Sequence, residues 1–337
     1  MGIEIKRRYE AIDGLRAFAC MGIVAMHVFA NASYELNGFW FKTFIPSLSN
    51  LVFLFMTISA FGMCCGYYKQ IIDRELDVVS FYRKRYVKIL PFFMFLCVLA
   101  FFMRPSLNSA YEVFANLTLL FGFIPNANIS IIGVGWFLGV VFAFYIFFPF
   151  FCFLLADKKR AWIAFFASYF MNYLCRNHFE VGRKSIVYCF VYFMAGGLIY
   201  LYREWLTKVA RYRWIFIVAA IISVITFWET EGPDFLMVFF NSAILAYAIC
   251  SDRTGILDNK FTHLVGKISF EVYLSHMVVF RLAQKMHLLS LSNNAYISFF
   301  IAFIIIFIST CCLAMGVKKI MELFIDIARR ILEKRIC

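Results

Sequence analysis

The sequence predicts an all-α, polytopic integral membrane protein with about ten transmembrane helices and both termini in the cytoplasm. Hydrophobic residues make up 63% of the 337 and charged residues only 16%, whereas charged residues form about a quarter of an ordinary soluble domain. Apolar runs of membrane-spanning length recur along the chain. Lysine and arginine gather in alternate loops between those runs, as the positive-inside rule predicts for cytoplasmic loops.

Ten apolar runs are the candidate spans. They lie near residues 12–32, 46–68, 86–103, 133–155, 161–176, 185–203, 214–228, 235–250, 268–287 and 296–317. Another segment, 111–124, is short and is broken by Gly122 and Pro125, so it is a short span, a re-entrant piece or an interfacial piece. With ten spans and a cytoplasmic N-terminus, most of the 33 lysines and arginines lie inside. If 111–124 were an eleventh span, every later loop would change sides and most of the lysines and arginines would lie outside. The positive-inside rule therefore favours ten spans.

The chain is expected to have two parts, a ten-helix membrane domain at 1–317 and a cytoplasmic tail at 318–337. The tail sequence MELFIDIARRILEKR alternates apolar and basic residues, which is typical of an amphipathic helix on the membrane surface. The net charge of +13 is then a topology signal and an attraction to anionic lipid, so nucleic acid is not an expected partner. The eleven cysteines lie mostly in apolar runs without metal-ligand spacing, and neither disulfides nor a metal site is expected.

The first span carries three ionisable groups, Asp13, Arg16 and His27. Such groups are costly in a bilayer and usually face protein or water, so they are functional candidates. Arg16 and His27 are eleven residues apart, which places them about 20° apart around a helix and about 16 Å apart along it. Structural roles are also consistent with the sequence: Asp13 as a helix cap, Arg16 as a snorkelling anchor, and His27 as an interhelical hydrogen-bonding group.

Two further clusters are candidates for binding or catalysis. The run FYRKRYVKILP places Arg85 and Lys88 on one helical face at a cytoplasmic helix end, where they could clamp a diphosphate or simply obey the positive-inside rule. The run GKISFEVYLSH places His276 deep in a span, about 140° from Glu271 around the helix. Trp136 begins the span at 133–155 and is either an acceptor contact or an interfacial belt residue.

These motifs, taken together, resemble the membrane-bound acyltransferase-3 family of O-acyltransferases. The matching stretches are IDGLRAFACMGIVAMH with its Arg-x10-His pair, FLFMTISAFG, RYVKILP, WFLGVVFAFYIFFP and ISFEVYLSH, in the order of the family. Three positions depart from the family pattern. Lys88 replaces a second arginine, Ala60 replaces a glycine after Ser59, and Val141 stands where many relatives carry glutamate.

The resemblance implies that an acyl group, expected to be acetyl, passes from cytoplasmic acyl-CoA to a hydroxyl of an extracytoplasmic glycan or lipid-linked sugar. It implies Arg16, His27, Arg85 and Lys88 as functional residues. His27 is then a general base or an acyl carrier, because a neutral imidazole can accept a proton from a hydroxyl.

The remaining assignments follow from that implied reaction. Asp13 and Ser59 are expected at the donor, Trp136 at the acceptor and His276 as a second polar group in the site. Acetyl-CoA is a substrate, and no bound cofactor is expected. The expected location is the plasma membrane, namely the inner (cytoplasmic) membrane of a bacterium.

Two other functions fit the same sequence features. Ten spans with buried charge also suit a transporter or flippase of glycan precursors, although no repeated halves or paired broken helices are evident in the sequence. Alternatively, the polar residues only hold helices together in a non-catalytic partner of a glycan-assembly complex. The acceptor, the length of the acyl chain and the oligomeric state are left open.

Overall fold

The computed structural model describes residues 9–124, 131–230, 234–251 and 255–336, with side chains as far as 321 and at 323. Every regular element in these ranges is helical, so the predicted all-α class is confirmed for them. The α-helices are α1 (Ala11–Asn31), α2 (Ile45–Ser47), α3 (Leu51–Ile72), α4 (Val78–Met103), α5 (Leu107–Thr118), α6 (Trp136–Leu155), α7 (Lys158–Asn177), α8 (Ile186–Leu201), α9 (Arg203–Lys208), α10 (Trp214–Glu229), α11 (Asp234–Cys250), α12 (Lys260–Lys267), α13 (Ser269–Lys285) and α14 (Ala295–Ile336).

Several of these helices are suited to a bilayer. In the described part of the chain, five stretches are long and apolar enough to cross a membrane, namely Ala11–Asn31, Trp40–Ile72, Val78–Met103, Gly133–Leu155 and Ala295–Met321. Three shorter helices, α8, α10 and α11, are also apolar. The other two predicted spans fold as α7 and α13, which length and composition alone do not identify as spans. The architecture is that of a multi-pass membrane protein.

The second predicted span begins earlier than expected. The apolar run suggested 46–68, but the chain is helical from Trp40 to Ile72. A π-helical turn at Trp40–Phe44 and a 3₁₀ turn at Leu48–Asn50 flank the short α2 before α3 begins. Pro46 lies at the start of α2, where its missing N–H costs no hydrogen bond. The polar residues before the run therefore belong to the helical segment.

The ambiguous segment at 111–124 does not form one long helix. It contains the end of α5, which stops at Leu119 in the left-handed conformation with φ of 57°. One 3₁₀ turn, Phe121–Phe123, follows. With 12 residues, α5 is about 18 Å long, against a hydrocarbon thickness of about 30 Å. It is too short to cross the bilayer. Pro125 lies outside the described residues.

The core of the bundle is aromatic and centres on α8, most of whose side chains are buried. Tyr192 stacks on Phe53 of α3, and Phe193 stacks on Phe144 of α6, each with ring centroids 4.1 Å apart. Gly196 lies so close to the backbone carbonyl of Thr57 that a Cβ would overlap it. A helix that is apolar on all sides lies either in a protein core or in lipid, and the burial of most of its side chains places α8 in the core.

The short helix α12 fixes the start of α1. Asn259 caps α12 through a reciprocal pair of bonds with Thr262. Gly266 packs on the backbone of Asp13, and Gly14 packs on the backbone of Leu257, in both cases with no room for a Cβ. We refer to this end of the bundle, where α1 begins, as the Asp13 end, and to the opposite end of α1 as the His27 end.

The predicted boundary at 318 falls inside a helix, because α14 runs without interruption from Ala295 to Ile336. The amphipathic pattern proposed for the tail rests mainly on side chains outside the described set, so it stays a prediction. Most of the cysteines that the structure describes are buried, as their position in apolar runs predicts.

Candidate active site

A cavity of about 590 Å³ lies between α1, α3, α4, α6, α13 and α14 at the Asp13 end. Its volume is in the range of small-molecule sites, about 300–1,000 Å³. Five of the predicted site residues line it, namely Asp13, Arg16, Ser59, Arg85 and Lys88. The sequence assigned these residues to three separate helices, and the fold brings them to one space. We call this space the donor cavity, after the role that the sequence analysis expects for Asp13 and Ser59.

The donor cavity carries more positive than negative charge among its described side chains. The cations are Arg16, Arg85, Lys88, Lys267 and Lys318, and the acids are Asp13 and Glu271. Lys318 reaches the cavity from α14 and lies 3.7 Å from the Glu271 carboxylate. Its ammonium also donates to the backbone carbonyl of Lys267 at 3.4 Å. The excess of positive charge suits a ligand with more than one phosphate.

Aromatic rings hold Arg85 in place. Its Nη2 donates to the Tyr67 hydroxyl at 2.6 Å, and its guanidinium carbon lies 5.0 Å from the Tyr67 ring centroid. The Tyr145 ring centroid is 5.8 Å away on the cavity wall. The Arg85 Nε is buried and has no hydrogen-bond partner within the described ranges. An arginine held in this way presents a fixed donor to an anion, at a lower entropy cost than a mobile side chain.

A chain of ionisable groups leads from the loop before α12 to Arg16. Asp258 Oδ1 lies 2.5 Å from His263 Nε2, and His263 Nδ1 lies 3.7 Å from Asp13 Oδ2. Asp13 Oδ1 in turn lies 3.7 Å from Arg16 Nη1. Asp13 is in the first turn of α1, but the N-cap residue is Glu10. Asp13 is therefore not the capping residue, and its carboxylate links Arg16 to His263.

His27 and His276 meet at the far side of the bundle, with ring centroids 4.8 Å apart and planes at 57°. His27 Nδ1 lies 3.0 Å from the carbonyl of Ile23, and His276 Nδ1 lies 2.6 Å from that of Tyr273. A carbonyl only accepts, so each Nδ1 carries the hydrogen and Nε2 is the basic nitrogen of the neutral ring. His276 Nε2 is buried without a hydrogen-bond partner among the described residues.

Tyr273 separates the two histidines from the donor cavity. Its ring lines the cavity, and its centroid is 5.9 Å from that of His276. Its hydroxyl donates to the backbone carbonyl of Val134 at 3.1 Å, which ties α13 to the turn before α6. The Tyr273 ring thus borders the cationic cavity and also lies next to His276.

Residues 9–318 match the family model described as an acyltransferase domain. The chain belongs to this acyltransferase-3 family. The match covers nearly the whole chain and confirms the resemblance seen in its motifs. No curated protein and no solved structure matches the acyltransferase.

Two positions in the family motifs of the acyltransferase, Ser59 and Val141, lie on the cavity wall. The Ser59 hydroxyl is 3.3 Å from that of Tyr145. Val141, which stands where many relatives carry glutamate, also lines the cavity. In this chain that part of the wall is apolar and adds no negative charge to the cavity.

Trp136, His27 and His276 do not line the donor cavity. Trp136 is the first residue of α6 and packs edge-on against Phe137, with ring centroids 6.4 Å apart. Phe137 does line the cavity. The structure therefore brings the two histidines together, whereas the ring contact described for Trp136 is with its neighbour Phe137.

Sequence reasoning missed several groups of the acyltransferase site. Lys318 was assigned to the tail, and no local pattern links it to Glu271. His263 was not singled out, because it lies on a short helix between spans. Glu271 was set aside on angular grounds; α13 turns it towards the donor cavity and turns His276 towards His27.

One group of described side chains has a spacing that a cation could bridge. The ligand atoms of Glu10, Asp258 and His263 lie within 4.8 Å of one another. His263 Nε2 is already hydrogen-bonded to Asp258. The contact between His263 and Asp13 ties the group to the chain of ionisable groups described above.

Proposed function

We propose that this acyltransferase moves an acetyl group from cytoplasmic acetyl-CoA to a hydroxyl of an extracytoplasmic glycan or lipid-linked sugar. The observation that carries the proposal is the arrangement along α1. A cationic cavity lies at one end of this helix, and two histidines with basic nitrogens meet towards the other. Phosphate binding and proton transfer are the two things that acyl transfer from CoA to an alcohol requires.

The proposed topology has ten spans and both termini in the cytoplasm. Support comes from contacts between loops that the charge distribution assigns to the same side. At the Asp13 end, Lys318 contacts Lys267. At the His27 end, Tyr34 donates to the carbonyl of Leu289 at 2.6 Å, and Arg183 donates to Asn50 at 3.2 Å. The donor cavity is then open to the cytoplasm, where acetyl-CoA is made.

In the donor complex, the diphosphate of CoA lies on Arg85 and Lys88. Arg16, held by Asp13, faces the same cavity. Lys267 and Lys318 remain for the third phosphate of CoA, on the 3′-hydroxyl of its ribose. The acyl end of the donor then points along α1 towards Tyr273 and the histidines.

In the transfer step, Nε2 of His27 takes the proton of the acceptor hydroxyl as the oxygen attacks the thioester carbonyl. The new C–O bond forms, the C–S bond breaks, and the CoA thiolate leaves and is protonated. His27 instead acts as a carrier if its Nε2 attacks the thioester first and an acyl-imidazole then meets the alcohol. Incubation with labelled acetyl-CoA and no acceptor distinguishes the two routes, since only a carrier becomes labelled on His27.

The acceptor approaches from the extracytoplasmic side, near Trp136, and belongs to a surface polysaccharide or its lipid-linked precursor. The membrane in which the protein acts is the plasma membrane, namely the inner (cytoplasmic) membrane of a bacterium. Phe55, Phe137 and Tyr273 form an aromatic part of the cavity wall, and we assign the small, apolar acetyl group to this part.

The test is acyl transfer in proteoliposomes that contain the purified protein and the glycolipid fraction of its native cells. Acetyl-CoA added on the side that the donor cavity faces should release free CoA thiol and place labelled acetyl on the glycolipid. A transporter would move glycolipid across the bilayer without thiol release, and that result would reject the proposal. The His178→Ala variant, changed at an exposed histidine, should transfer acetyl at the wild-type rate and serves as the control for His27→Ala.

A further inference from the structure

A second cavity, of about 890 Å³, lies between α7, α8, α10 and α11. It shares no lining residue with the donor cavity. The helix α8 separates the two spaces. Ala195 and Ile199 face the second cavity, whereas Gly196 packs on Thr57 of α3. This space, which we call the lipid groove, has no part in the transfer step.

The walls of the lipid groove offer almost no hydrogen-bonding groups. Aromatic and aliphatic side chains dominate its lining. The hydroxyls of Ser223 and Ser242 donate to carbonyls of their own helices, at 2.8 Å and 2.7 Å. Water does not fill an apolar space of this kind, because it finds too few polar partners there. Phe166 and Phe239 line the groove and are 60% and 63% exposed, so the space is open to the surrounding hydrocarbon.

The helix α10 packs almost entirely on α11 and leaves most of its other side chains exposed. Ala220 and Ser223 are its only buried residues in the described structure. On the groove side it presents Phe216, Ala219 and Ser223 across the gap from α7. An apolar group must fill this gap in the membrane, because the side chains that line an empty space would lose their dispersion contacts.

One end of the groove is polar and positively charged. The Trp162 indole N–H donates to the Tyr202 hydroxyl at 3.0 Å. The Lys158 ammonium lies 5.5 Å from the centroid of the Tyr202 ring. Lys158 is the first residue of α7 and is exposed. Tryptophan, tyrosine and lysine at a helix end mark the membrane–water interface, where lipid phosphates lie.

We propose that the lipid groove binds one anionic phospholipid, with its acyl chains between α7, α8, α10 and α11 and its phosphate beside Lys158. The charge at the mouth selects the anionic headgroup, and the groove accommodates the chains. The lipid completes the packing of α10 and α11 against the core. This inference does not depend on the acyl-transfer reaction.

The experiment is native mass spectrometry of the full-length protein, purified in mild detergent and supplied with equal amounts of phosphatidylglycerol and phosphatidylcholine. Phosphatidylglycerol should be retained preferentially. Lys158→Gln should lower that preference about fivefold, the effect of one basic residue beside an anionic lipid. Lys159→Gln, changed at the next exposed lysine, should leave it unaltered.

A second pair of variants tests the chain-binding part of the groove. Ala219→Phe fills the groove and should release both lipids, whereas Val218→Phe, at an exposed neighbour outside the lining, should release neither. Glycerol phosphate, which has the headgroup without the chains, should not displace the bound lipid. Equal retention of the two lipids in the wild type, or equal loss in Lys158→Gln and Lys159→Gln, overturns the proposal. The surface variants keep the test decisive if Ala219→Phe fails to fold.

Discussion

The two ends of α1 carry polar groups of different kinds. At the Asp13 end the groups are charged: Arg16 lies against Asp13, Glu271 lies against Lys318, and Arg85 lies on aromatic rings. At the His27 end two imidazoles are in ring contact, each hydrogen-bonded through Nδ1 to its own helix. The charged group described at this end, the Arg183 guanidinium, is held by Asn50 and the Phe53 ring.

The difference follows from the cost of burial. A charge in an apolar interior needs a counter-charge or water, and the donor cavity supplies counter-charges from Asp13 and Glu271. A neutral imidazole needs only one hydrogen bond to its backbone and can lie in an apolar region with a basic nitrogen exposed to a substrate. Ligand charge is thus expected at one end of α1 and proton transfer at the other.

His27→Ala should have the largest effect, because it removes the base without touching the donor cavity. We expect turnover to fall about 10²- to 10⁴-fold, with the affinity for CoA unchanged. Transfer of labelled acetyl in proteoliposomes measures turnover, and CoA binding to the purified protein measures affinity. A His27→Ala protein that transfers acetyl at the wild-type rate, or that loses CoA binding as well, breaks the division between the two ends.

Arg85→Gln should have the opposite signature. It removes a fixed cation from the phosphate site, and a hydrogen bond to a charged group is worth about 1.5–3 kcal/mol. The affinity for acetyl-CoA should fall about 10- to 100-fold, with much of the turnover kept at saturation. Measurement of KM and kcat separates the two quantities.

Two controls sharpen that prediction. Arg83→Gln changes an exposed residue of the same basic run that does not line the cavity, and it should leave KM near the wild-type value. Acetyl-pantetheine lacks the diphosphate, so its KM should be the same in the wild type and in Arg85→Gln. A larger loss with acetyl-pantetheine than with acetyl-CoA would show that Arg85 does not bind phosphate.

The fold was largely predictable from the sequence because a bilayer imposes simple rules. Each predicted span corresponds to a helix, since an apolar run in lipid must satisfy its own backbone hydrogen bonds. The start of the second helical segment at Trp40 was missed, because its first turns contain polar residues and Pro46. The brevity of α5 was visible in the sequence, but its end at Leu119 was not, because leucine rarely adopts a positive φ.

The candidate site was predictable where a family motif or the spacing within one helix marked its residues, as for Ser59 and for Arg16 with Asp13. The pairing of Arg85 with Lys88 followed from helical spacing, and both line the donor cavity. Contacts between distant helices had no sequence signal. Lys318 with Glu271, and His263 with Asp13, are separated by long stretches of chain, and only tertiary packing brings them together.

His276→Phe tests whether the second imidazole contributes more than its shape. Phenylalanine keeps a ring against His27 but has no nitrogen. We expect turnover to fall about tenfold, because His27 is less well oriented towards the acceptor hydroxyl without the second imidazole. The affinity for CoA should stay unchanged. Protein abundance and turnover are measured together. Wild-type turnover in this variant would show that His276 only packs, and the working part of the His27 end would then be His27 alone.

His263→Gln should have the smallest effect, because His263 acts on the donor cavity only through Asp13. It is a positioning residue, 22% exposed and 3.7 Å from the Asp13 carboxylate. Partly exposed ion pairs contribute about 0.2–1 kcal/mol, so we expect KM for acetyl-CoA to rise about two- to fivefold with kcat unchanged. His287→Gln, at an exposed histidine outside the cavity lining, serves as the control.

The chain from Asp258 through His263 and Asp13 to Arg16 makes a stricter prediction. If His263 acts through Asp13, the double variant Asp13→Asn, His263→Gln should raise KM no further than Asp13→Asn alone, because residues in one network are not additive. Multiplicative effects on KM would show that His263 acts independently of Asp13. A fall in kcat without a rise in KM would place His263 in the chemical step, and the Asp13 end would then take part in proton transfer as well as in binding.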